Sequence, residues 1–180
     1  EIIAGLTAPA PFIAPKYFYD VLGARLFEAI CELPEYTLTR DEAAIFIRHA
    51  AQIAERIGPG CTLIDLGAGD CAKAERLFVS LKPAQYVAVD ISGDFLAASL
   101  TGLAQRNADL EIVGIAQDFT RGLRLPPGVR NKQRVFFYPG SSIGNFAPGD
   151  AASFLARLHS LANGGYLLLG ADLLRGAREH

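Results

Sequence analysis

The spacing of apolar positions along the chain changes near residue 61. Upstream, Leu22, Leu26, Phe27 and Ile30 fall on one stripe, which predicts a helix over 20–33 that Pro34 stops. Thr39-Arg40-Asp41-Glu42 has the form of a capping box. In that motif the Thr39 hydroxyl accepts from the Glu42 N–H, and the Glu42 carboxylate reaches back to the helix start. The helix that follows carries Ala43, Ile45, Phe46, Ile47, Ile53 and Ile57 and closes at Gly58-Pro59-Gly60.

Downstream, short apolar runs alternate with helical stretches. Strands are predicted over 62–66, 86–89, 110–116, 134–138 and 166–169, and helices over 73–81, 93–103 and 150–161. The link between the third and fourth strands contains Leu125-Pro126-Pro127-Gly128 and predicts no helix. Strands joined by helical crossovers form mostly parallel sheets covered on both faces. The fold class is therefore α/β, with an N-terminal helical segment over 1–60 and a Rossmann-like core over 61–180.

Composition narrows the class further. The chain has 180 residues, 51% of them apolar and 20% charged, which is enough to bury a core. A net charge of -2 with no basic run points away from nucleic acid or an anionic membrane as partner. Cys31, Cys61 and Cys71 are odd in number and lack metal-ligand spacing, so neither a disulfide framework nor a metal site is expected. That usage fits a reducing cytoplasm. Pro9, Pro11 and Pro15 interrupt the apolar start, against a signal peptide, and no window reaches the length of a membrane span. The sequence contains no methionine, so the first residue is read as the start of a processed or excised segment.

Candidate chemistry collects where predicted strands end. Leu63-Ile64-Asp65-Leu66-Gly67-Ala68-Gly69-Asp70 passes directly from a strand into a helix. Gly67 and Gly69 would let the backbone approach a ligand closely, and Asp65 could accept from a ligand amine. A ligand-free tight turn would use the same residues. The second strand ends in Asp90, placed to accept from both ribose hydroxyls of an adenosine cofactor or, more plainly, to cap the next helix. After the third strand, Asp118-Phe119 suits an adenine, the carboxylate on its amine and the ring against its face; a turn aspartate and a core phenylalanine are the alternative.

Beyond the fourth strand, Gly140-Ser141-Ser142-Ile143-Gly144-Asn145 brings two glycines, two hydroxyls and an amide. Asn145 suits the amine or carboxylate of an amino acid, or else caps the turn before Pro148. Lys73, on the first turn of its helix, gains nothing from the helix dipole. It either meets a ligand carboxylate or is simply solvated. Tyr17, Tyr19 and Tyr36 either fold over the site as a lid or pack in the core.

Taken together, these segments resemble the ergothioneine-pathway L-histidine Nα-methyltransferases. The resemblance rests on Pro15-Lys16-Tyr17-Phe18-Tyr19-Asp20, Leu33-Pro34-Glu35-Tyr36-Thr37-Leu38-Thr39-Arg40, the Gly67–Lys73 loop, Gln117-Asp118-Phe119 and the run from Pro139 to Phe146. It implies a class I methyltransferase core that uses S-adenosylmethionine, releases S-adenosylhomocysteine and needs no metal. Gly67, Gly69, Lys73, Asp90, Asp118 and Phe119 would bind the cofactor. Tyr36 and Asn145 would hold the α-amino and carboxylate end of the amino acid substrate, L-histidine, with Tyr19 close by.

Such a reaction is an in-line displacement in which an unprotonated amine is held about 3–3.5 Å from the methyl carbon. No residue of the segment offers itself as a general base. Thr37 and Asp70-Cys71 depart from the family pattern away from these contacts. Members of the family run considerably further, through the remaining strands and a substrate-reading domain. The segment alone is accordingly expected to be catalytically poor. A family member acting on another amine, such as a tryptophan derivative, and a non-catalytic nucleotide-binding module are the competing expectations. An NAD-dependent dehydrogenase would need an acid–base pair that is not found.

Overall fold

The computed structural model describes residues 2–18 and 21–173, which fall into two compact units divided between Thr39 and Arg40. The first unit holds α1 (Ile2–Leu6), a 3-10 turn at Pro15–Phe18 and α2 (Val21–Cys31). Asp20 and Tyr19 lie outside the described residues. Within this unit the Phe27 ring meets Tyr36 edge-on, 6.1 Å between centroids.

α3 (Leu38–Ile57) opens at the division and continues into the second unit. The capping box expected at its start does not form. The helix begins at Leu38, two residues before the Arg40 start that a Thr39 cap would give, and the Thr39 hydroxyl donates to Cys31 Sγ at 3.5 Å. The Glu42 side chain turns the other way, toward Lys73 and the Gly140 N–H. A half-enclosed ammonium and a backbone donor attract a carboxylate more strongly than a solvated helix end does. The helix does stop where expected, with Gly58 at φ +81° donating its N–H to Ala54 O.

The second unit is a five-stranded parallel sheet: β1 (Thr62–Leu66), β2 (Gln85–Asp90), β3 (Glu111–Ala116), β4 (Arg134–Tyr138) and β5 (Tyr166–Leu169), in the spatial order β3-β2-β1-β4-β5. The connecting helices are α4 (Ala72–Leu81), α5 (Gly93–Arg106) and α6 (Pro148–Ala162). Each observed strand overlaps its predicted run. The reason is the sequence pattern: β1, β2 and β4 are apolar at successive positions, as a strand buried on both faces requires.

Alternation divides those strands between two cores. Leu63, Tyr86, Ala88, Val135 and Phe137 point to one face and pack with Phe46 and Ile57 of α3, Leu77 and Leu81 of α4, and Leu96 and Leu103 of α5. Ile64, Leu66, Val87, Val89, Phe136 and Tyr138 point to the other, against Phe154, Leu158 and Ala162 of α6. The helix-free link after β3 covers part of this second face through Leu123 and Val129. Fully buried Gln85 pins that link: its amide donates to Gly128 O and Glu111 Oε1, and its carbonyl oxygen accepts from the Arg130 N–H. A buried amide without such partners would cost on the order of 1–3 kcal/mol.

Candidate functional site

Parallel pairing puts all the strand carboxyl ends at one edge of the sheet, where α/β folds bind ligands. Leu66 is in register with Val89, and Asp90 with Ala116. The glycine turn after β1, the carboxylate ending β2 and the Asp118-Phe119 pair after β3 therefore come together from three segments far apart in sequence.

The glycine turn is held open by backbone geometry. Gly67 has φ +75° and Gly69 φ +54°, and the Gly67 and Ala68 N–H groups both donate to Val89 O. Gly67 is exposed, and a side chain there would face the Phe119 ring at 3.9 Å. Phe119 itself rests on Tyr138 and Phe154 at 5.8 and 6.0 Å between centroids. The Phe119 ring is backed by two aromatic rings and lies directly beside the glycine turn. Phe119 thus meets the core reading and remains placed to serve the ligand reading.

Asp90 latches the turn. Its Oδ2 accepts from the Gly69 N–H and its Oδ1 from the Ser92 N–H, both at 3.0 Å. The second bond closes a local turn ahead of α5 and does not cap that helix, whose N-cap is Ser92. The first ties the carboxylate to the glycine turn across 21 residues. Each oxygen has a further lone pair for a hydroxyl donor. Asp118 Oδ1 accepts from the Thr120 N–H and hydroxyl, with Arg121 Nε 3.6 Å from Oδ2. That fixes its rotamer beside Phe119.

Asp65 is corrected by the structure. It is 2% exposed, on the α3/α4/α5 side of the sheet, and its Oδ2 accepts the Tyr86 hydroxyl at 2.8 Å. It lies under the turn as a support rather than open to a ligand amine, because strand alternation points position 65 to the same face as Leu63. Burial pushes its carboxyl up to about 7, against the opposing pull of the Tyr86 hydroxyl and the Lys73 charge. Cys71, also buried, has its thiol raised to about 11, chiefly by burial, and so is an unreactive neighbour of the turn.

Lys73 on α4 pairs with Glu42 of α3 at 2.8 Å, so it is not a freely solvated lysine. The loop after β4 arrives alongside: Gly140, at φ +80°, donates its N–H to Glu42 Oε1. Asn145 ends the 3-10 turn Ser142–Asn145 and is exposed on this same loop. Tyr36 belongs to the first unit, and Tyr19 falls outside the described residues.

Glu42 was missed as a site residue and read as a cap. The available signal was its place four residues before Phe46, on the helix face that turns inward. Tyr86 carried a similar signal, a hydroxyl inside an apolar strand.

Among the described residues no helix is long and apolar enough to cross a membrane, and no cluster of three or more metal-ligating side chains occurs. By fold, the chain is like the 1,6-didemethyltoxoflavin-N1-methyltransferase of Burkholderia thailandensis. The TM-score is 0.56 at 22% identity, over 90% of this chain and 66% of that one.

By sequence, the chain is 35% identical over 182 residues to histidine N-alpha-methyltransferase of Mycobacterium tuberculosis, across 98% of this chain and 56% of that protein. It is 30% identical over 186 residues to 4-dimethylallyltryptophan N-methyltransferase of Claviceps purpurea, across 96% and 54%. The chain thus spans a little over half the length of these relatives. Residues 1–179 match the profile of the histidine-specific, S-adenosylmethionine-dependent methyltransferases, and the chain belongs to that family.

Proposed function

We propose that the protein transfers a methyl group from S-adenosylmethionine to the α-amine of L-histidine, on the route to hercynine. The observation that carries the reading is the latch between Asp90 and Gly69. It joins the ribose-binding carboxylate to the glycine turn at the carboxyl edge of the sheet, beside the Phe119 ring. Family membership and the 35% identity to the mycobacterial enzyme support the same reading.

In it, Asp90 accepts from the ribose hydroxyls, and Asp118 and Phe119 receive the adenine. The Gly67–Gly69 backbone lets the ligand lie close, and Lys73 meets its carboxylate. Bound S-adenosylmethionine supplies a methyl group already activated by a positive sulfur. What remains for the chain is to align an amine, and Asn145 is assigned to that task. The residues fit the ligand because glycine leaves open the space that a side chain would fill, and because the carboxylate at the end of β2 is already oriented by two N–H donors. Activity is expected in the cytoplasm, on a free amino acid.

A second reading, methylation of another amine such as a tryptophan derivative, is supported by the Claviceps relative. The test is to incubate the protein with methyl-labelled S-adenosylmethionine and, separately, L-histidine or 4-dimethylallyltryptophan, and to weigh the products. Label in trimethylated histidine is the expected result. Label only in the tryptophan derivative favours the second reading. Poor transfer is expected of the 180-residue segment alone. Transfer to neither by a chain of its relatives' length that binds the methyl donor would sink the enzymatic proposal.

A further inference from the structure

Glu42 is one of the few charged side chains buried in the second unit, at 8% exposure. Its two oxygens face different segments. Oε2 takes the Lys73 ammonium at 2.8 Å, and Oε1 accepts the Gly140 N–H, 98 residues away in sequence. Two glycines make room for this arrangement. A side chain at Gly140 would lie 3.1 Å from Lys73 Nζ, and one at Gly170 would run into Glu42 Oε1. The helix after the glycine turn, the loop after β4 and the end of β5 therefore converge on a single carboxylate.

Stability alone does not account for such a group. Desolvating a carboxylate and an ammonium costs about as much as their attraction returns, so buried pairs contribute little net stability. What the pair does achieve is order. A lysine stem has four rotatable bonds, and Glu42 removes most of that freedom while occupying one of three N–H donors. The Lys73 side chain remains 35% exposed, so its ammonium is held but not enclosed.

We infer that Glu42 is a positioning residue that holds Lys73 and the Gly140 loop in the places where the carboxylate end of the methyl donor is received. This rests on the proposed role of Lys73. Glu42→Gln is the discriminating change. Its carbonyl can still accept from Gly140, but its NH2 would face the Lys73 donors, and the lysine is released.

Calorimetry would compare S-adenosylhomocysteine with 5′-methylthioadenosine, which carries the same nucleoside and sulfur but no amino acid. Both are titrated into the unaltered protein, Glu42→Gln, Lys73→Met and the double variant. Glu42→Gln should weaken S-adenosylhomocysteine about 10-fold and leave methylthioadenosine within about 2-fold, and the double variant should bind no more weakly than Lys73→Met. Equal weakening of both ligands, or multiplicative losses in the double variant, would make Glu42 merely structural and overturn the inference. Full S-adenosylhomocysteine affinity in Lys73→Met overturns it too, while leaving the cofactor site standing. If the unaltered protein binds neither ligand, the cofactor reading itself fails and takes the inference with it. Should Glu42→Gln not fold, Glu42→Asp, with the same charge on a shorter stem, enters the same comparison. It must then show the same selective loss for the inference to stand.

Discussion

Asp65 and Tyr86 show how much a single buried pair can shape behaviour around a ligand turn. The carboxyl lies near 7 in the folded protein, against about 3.9 for an exposed aspartate. Between those values the folded state holds a proton that the unfolded chain has released. Its contribution to stability is therefore fully present below about pH 4 and lost as pH rises through about 7. Asp65→Asn keeps an oxygen for the Tyr86 hydroxyl and removes the ionisation. The expected result is a urea midpoint that falls less between pH 5 and pH 8 than in the unaltered protein, the two diverging on the order of a few kcal/mol at the alkaline end. An unchanged slope would show that Asp65 ionises normally. At this scale the turn glycines and Asp90 were legible as residue types at strand ends. The burial of Asp65 was not, because it depends on which sheet face receives α3, α4 and α5.

At the scale of elements, α6 matters through one ring. Phe154 is 1% exposed and touches Phe119, Tyr138 and Phe146, the last stacked at 5.1 Å with 14° between planes. Phe154→Ala should cost about 3–5 kcal/mol of stability in urea unfolding, the range for emptying an aromatic site in a packed core. Because Phe119 loses its support, S-adenosylhomocysteine affinity should fall as well. Destabilisation with unchanged affinity would separate Phe119 from the ligand. The strands themselves were readable from composition: β1, β2 and β4 are apolar at successive positions and flanked by Gly, Pro or Asp. The link after β3 was readable only as not helical. What makes it a lid over the second core is Gln85, a polar residue in a strand whose partners lie up to 45 residues away.

For the whole molecule, the parallel sheet gathers the candidate ligand groups that follow its strands at one edge, so a ligand bound there should stabilise the second unit as a body. S-adenosylhomocysteine at a hundred times its Kd should add about 2.7 kcal/mol and raise Tm by roughly 5–10 °C. NAD at the same concentration should leave Tm in place. An equal shift with NAD would point to a general nucleotide fold instead of a methyltransferase site.

Local pattern was sufficient for the order and type of the elements from residue 61 onward, and for their parallel arrangement, because periodicity and turn residues act over a few positions and the crossover geometry follows from them. It also located the strand ends where ligand groups gather. Only the tertiary structure decided that Glu42 leaves its helix end for Lys73 and Gly140, that Asp65 is buried, and that Asp90 latches Gly69. Each of those choices is an electrostatic competition between partners brought together by folding, and the winner is set by desolvation and reach rather than by neighbours in sequence.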